Sequence, residues 1–62
     1  LDYRGAALQM LAEGTDRRSV IAALALLSEF GRSEDVPVLR RFAEDPRPSV
    51  AREARRALTR QA

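Results

Sequence analysis

Residues 19–31 read Ser19-Val-Ile-Ala-Ala-Leu-Ala-Leu-Leu-Ser-Glu-Phe-Gly31. Taken as extended chain, this run is a buried strand; taken as a helix, it is an element apolar on several sides. Its length, its alanines and the glycine that closes it favour the helix. At about 100° per residue, Val20, Ala23, Leu24, Leu26, Leu27 and Phe30 fill more than half of the circumference. A helix of that kind needs neighbours on more than one side. The segment is therefore expected in the middle of the fold, sandwiched between other helices.

Outward from it, the second half of the chain repeats the first at a spacing of 30–31 residues. Leu8, Leu11, Ala12 and Glu13 recur as Leu39, Phe42, Ala43 and Glu44, and Ala23 and Leu27 recur as Ala54 and Leu58. A fixed period in that range is the sequence signature of stacked helical units, each covering its neighbour's apolar face. The expectation is an all-α fold of four helices, near residues 2–13, 16–30, 34–44 and 46–60. These form two antiparallel helical hairpins stacked as in an α-solenoid, in one domain spanning 1–62.

Each helix carries its own start and stop signals. Gly14 ends the first helix and Gly31 the second. Thr15 and Asp16 supply side-chain oxygens for the unpaired first-turn amides of the second helix. Glu34 and Asp35 suit the positive end of the third, and Pro37 fixes its start nearby. With Asp45 as cap, Pro46 and Pro48 fall at the first and third positions of the fourth helix, where an amide hydrogen has no partner. Val38, Leu39, Phe42 and Ala43 form the inward stripe of the third helix. Val50, Ala51, Ala54, Ala57 and Leu58 form that of the fourth.

Composition removes whole classes of function. The 62 residues contain no Cys and no His. That excludes disulfides, thiolate metal sites, cysteine nucleophiles and the usual general base. Ser19, Ser28, Ser33 and Ser49 have no His or Lys to activate them. The carboxylate pairs Glu34/Asp35 and Glu44/Asp45 lie at helix ends, where capping and dipole effects account for acids. Gly5, Gly14 and Gly31 are isolated and build no phosphate-cradling loop. The expectation is a non-enzyme without cofactor or metal. No apolar run approaches the ~20 residues of a membrane span, and cytosol is the default compartment. A first residue of Leu rather than Met suggests a piece of a longer protein.

All 11 basic residues are Arg, and the net charge is +2. Ala is equally frequent, so a GC-rich genome is the simplest source of the bias; selection for bidentate phosphate or carboxylate contact is the functional alternative. Between residues 47 and 60, five Arg stand against one Glu. Arg52, Arg55, Arg56 and Arg60 share the outward side of the fourth helix, with Arg40 and Arg41 of the third as further candidates. This face suits an acidic protein surface or a nucleic-acid backbone. No aromatic residue interleaves with it, which weighs against nucleic acid. The bland reading is that long Arg stems cover an Ala-rich helix and keep their heads in water. On the first helix, Tyr3, Ala6 and Met10 extend the apolar stripe beyond what one neighbour covers. They mark a docking patch for another domain or a second copy, or else they complete the core. Arg18, Ala22, Ala25 and Glu29 of the second helix lie beside Arg52 and Arg56 on a shallow groove face.

The segments Glu34-Asp-Val-Pro-Val-Leu39 and Asp45-Pro-Arg-Pro-Ser-Val-Ala-Arg-Glu-Ala-Arg-Arg-Ala-Leu58 resemble a HEAT-like repeat. The similarity is to the short bacterial type also found in phycobilisome-lyase-type repeat proteins. The matching features are the acidic-Pro turn at Asp45-Pro46, then Val50, Ala54, Ala57 and Leu58, with Gly31 as the inter-repeat turn. It is strongest over residues 31–58. The family often has Arg directly after the Val, where this chain has Ala51 and, in the first copy, Ile21. A ladder of stacked Arg along the repeats is therefore not expected. The resemblance implies an α-solenoid with a binding or scaffolding role in a larger bacterial protein, its second helices lining a concave surface. Protein–protein interaction is the leading function. Nucleic-acid backbone binding, or service as the accessory domain of an enzyme such as a lyase, are the alternatives.

Overall fold

A computed structural model describes residues 1–14 and 16–61. Among them the chain forms α1 (Tyr3–Glu13), α2 (Arg17–Phe30), α3 (Val36–Ala43) and α4 (Pro48–Gln61). A single 3₁₀ turn, Ser33–Asp35, leads into α3. No strand occurs among the described residues. The all-α expectation holds.

Local chemistry sets the ends. The Asp2 carboxylate accepts the Gly5 amide at 2.8 Å, so Asp2 caps α1 rather than joining it. Asp16 accepts the Ser19 amide at 3.2 Å and caps α2; Thr15, the other expected capping residue, lies outside the described residues. Gly14 and Gly31 end α1 and α2 as expected, yet neither has positive φ. Their value is room. A Cβ at Gly31 would run into the Leu27 carbonyl oxygen and crowd the Gln61 amide, and one at Gly14 would meet the Met10 carbonyl. Gly31→Ala should therefore lower stability by about 1–2 kcal/mol, read from thermal melts; an unchanged midpoint would show that the turn relaxes freely.

The start of α4 corrects the sequence reading. Pro48, not Pro46, is the first helical residue, and the Arg47 carbonyl accepts the Val50 and Ala51 amides at 3.1 and 3.0 Å. A residue before proline is sterically pushed out of the α region. With Arg47 ahead of Pro48 this preference favours the later start, although Val36 ahead of Pro37 is accommodated in the α region at the start of α3. Asp45 still accepts an amide, that of Arg47 at 2.8 Å, and its carboxylate also pairs with the Arg47 guanidinium.

α2 packs on both α1 and α4, and α4 packs on α3. Val20, Ala23, Leu24 and Leu27 are fully buried, together with Leu39, Val50, Ala54 and Ala57. Burying each such Leu or Val is worth about 1.5–3 kcal/mol. The alanines allow the helix axes to come close together. Phe30 departs from the expected inward stripe of this helix and is 48% exposed. As the last helical residue it reaches past the core, and its ring stacks on Tyr3 at 5.0 Å.

Side-chain contacts give the relative directions. Tyr3, at the start of α1, meets Phe30, at the end of α2, so α2 runs back along α1. Arg17 donates to Ser49 Oγ at 3.3 Å where α2 and α4 start. At their ends, Arg60 Nε donates to the Ser28 carbonyl at 3.2 Å and Gln61 Nε2 to the Leu27 carbonyl at 3.0 Å. The two helices therefore run in the same direction.

Candidate binding surfaces

The arginines of α4 divide by what they touch. All of Arg52, Arg55, Arg56 and Arg60 are exposed. Arg55 Nη2 reaches the Ala43 carbonyl at the end of α3, at 3.3 Å. Arg60 holds the Ser28 carbonyl near the end of α2 and lies 3.5 Å from Glu29. Both satisfy carbonyls that a helix leaves unpaired in its last turn. Arg52 and Arg56 make no hydrogen bond or salt bridge among the described residues. Four positions apart, they share one face of α4.

On α2, Arg18, Ala22, Ala25 and Glu29 are exposed along one stripe, as the sequence placed them. Arg52 lies on the side of α4 opposite Gln61, which reaches α2, so this stripe and Arg52 are on separate faces.

Arg40 and Arg41 belong to a different part of the molecule. Both are exposed on α3, and the Arg41 guanidinium lies over the Phe42 ring, 5.6 Å from its centroid. Arg41 and Phe42 line a cleft of about 260 Å³ between α1 and α3, with Leu8, Leu11, Ala12 and Val38. Arg41 thus turns toward α1, away from the Arg52/Arg56 face. Tyr3 is 44% exposed. Met10 is half-buried and packs against the core.

Sequence reasoning missed the most buried charged contact. Arg4 of α1 clasps Asp35 with two bonds, Nε to Oδ2 at 2.8 Å and Nη2 to Oδ1 at 2.6 Å. Asp35 is 3% exposed and also accepts the Arg32 amide at 2.8 Å. The Arg4 hydrogen bond holds the Asp35 carboxyl below its ordinary pKa, with help from the Arg32 amide and against the opposing effect of burial. Asp35 had been read as a dipole-complementing acid at a helix start. One available signal was its place: Arg4 and Asp35 carry opposite charges one repeat period apart.

Among the described residues, no group of three or more acids is gathered to hold a metal ion, and no helix is long and apolar enough to cross a membrane. No protein-family model, curated protein or solved structure matches the chain.

Proposed function

We propose that this chain is a non-catalytic HEAT-like module of two stacked helical hairpins, α1–α2 and α3–α4, acting in the cytoplasm in protein–protein interaction. The stacking is supported by the side-chain hydrogen bonds between the two halves. Arg4–Asp35, Arg17–Ser49, Ser28–Arg60 and Leu27–Gln61 join positions 31, 32, 32 and 34 apart. Each lies close to one sequence period, as expected where corresponding elements of successive units lie side by side.

The partner surface is the outer face of α4, and its partner is an acidic protein segment. One observation carries this reading. Arg52 and Arg56 stand exposed on one face of α4 and make no salt bridge among the described residues, whereas Arg4, Arg47 and Arg60 are engaged with acids of the chain. Exposed cations of this kind steer and orient an acidic partner more than they add raw affinity.

A polyglutamate peptide and a duplex DNA serve as probes at low salt. The peptide should bind, and Arg52→Glu with Arg56→Glu should weaken it at least about tenfold, or 1.4 kcal/mol, at unchanged helicity by circular dichroism. Binding that ignores both substitutions would remove this face from the proposal. Retention of DNA alone, with a steep salt dependence, would favour a nucleic-acid backbone instead.

A further inference from the structure

The two ends of the helix stack differ in chemistry. On α2, the Arg17 side chain and the Ser28 carbonyl meet side chains of α4. Ser19 and Leu26 lie diametrically opposite those two on the helical wheel, on the side away from α4. That edge continues through exposed Phe30 and its stacked partner Tyr3. It is apolar and left partly open, with Leu26 half-buried against the core and Phe30 and Tyr3 nearly half exposed. At the other end, Arg52 and Thr59 of α4 lie on the side away from Gln61, which reaches α2, and both are exposed. One end of the molecule is apolar and the other is polar and cationic. Head-to-tail stacking of identical chains would press the Leu26/Phe30 edge against arginines. Only a face-to-face arrangement sets apolar surface on apolar surface.

The charges on the open edge select the same arrangement. Arg18 stands at the start of α2 and Glu29 near its end, both exposed. When two copies of α2 cross antiparallel about a twofold axis, Arg18 of each comes opposite Glu29 and Phe30 of the other. The same register sets Leu26 over Ala22, a large residue against a small one, twice. Glu29 lies 3.5 Å from Arg60 through one carboxylate oxygen, which leaves the other free to meet a second arginine. A twofold contact must be self-complementary in this sense. Exposed apolar patches with polar rims are the surfaces on which such contacts form.

We infer that the chain forms a twofold homodimer through the Leu26/Phe30 edge of α2, with the two α2 helices antiparallel. This edge is separate from the Arg52/Arg56 face and stands or falls independently of it. The contact is small, so the dimer is weak, dissociating in about the micromolar range.

Analytical ultracentrifugation of the intact chain across a concentration series tests it. The expected result is a reversible monomer–dimer equilibrium that closes at two chains. Ala22→Glu, on an exposed position, should leave single chains with unchanged helicity. Arg18→Glu and Glu29→Arg should each weaken association about tenfold, and the two together should restore it. Single chains up to roughly millimolar concentration, or growth beyond the dimer, would overturn the inference. So would a dimer indifferent to Ala22→Glu, or a charge swap that fails to recover association.

Discussion

Leu24→Ala should unfold most of the protein under conditions where the unaltered chain is folded. Leu24 is fully buried in α2, the helix that packs on both α1 and α4. Truncating a buried Leu costs about 2–5 kcal/mol, from lost transfer energy and the cavity left behind. A chain of 62 residues has a total stability of roughly 3–9 kcal/mol at the usual per-residue values. One cavity in the central helix therefore consumes much of what holds the fold. Alanine neighbours such as Ala23 and Ala54 have no side-chain reach with which to fill it. Urea denaturation followed by circular dichroism measures the change. Leu1→Ala, at a fully exposed position, is the control and should leave the midpoint in place. A Leu24→Ala chain as stable as this control would mean that α2 is not the core.

The second large effect is expected at Asp35, and it depends on pH. Asp35→Ala leaves the Arg32 amide and the Arg4 guanidinium without their acceptor, a loss of about 1–3 kcal/mol. The pH dependence has a definite sign. Because the folded-state pKa of Asp35 lies below its ordinary value, the group stabilises the fold fully above the ordinary carboxylate range. That contribution is lost as pH falls through about 4 toward the depressed value. Asp16 and Asp45 act in the same direction, each held low first by a side-chain hydrogen bond, from Ser19 and Arg47 respectively. With no His in the chain, stability should be nearly flat between about pH 7 and 5 and should fall below that. Asp35→Asn should flatten the acid limb more than Asp16→Asn, because Asp35 alone of the two is buried. Melting temperature against pH distinguishes them. Equal slopes for the unaltered chain and Asp35→Asn would show that the Arg4 clasp contributes nothing.

What could be read from the sequence, and what could not, follows from the range of each interaction. Helix starts and stops are written within four residues, so Asp16, Gly14 and Gly31 announced them, whereas Asp2, expected inside the first helix, caps it. The inward stripe of α4 was visible because Val50, Ala54 and Ala57 recur at helical spacing. Pro46 and Pro48 misled because each suits a first turn. Phe30 looked like core by type, but the end of a helix projects past its neighbours. Contacts across the stack were the least legible. Arg55 and Arg60 read as solvated charges because a sequence does not show which backbone carbonyls end up beside a given side chain. Asp35 reads as an acid at a helix start, and nothing near it in sequence ties it to Arg4, 31 positions away.

The central claim is that α2 and α4, corresponding helices of the two halves, lie side by side and in the same direction. The chain has no cysteine of its own, so Thr59→Cys provides a single attachment point for a nitroxide on the exposed side near the end of α4. Paramagnetic broadening of amide resonances then reports the direction of α2 relative to α4. Broadening should be strongest from Leu27 to Phe30 and should fade toward Arg17. The reverse gradient, or none along α2, would contradict the stacked arrangement.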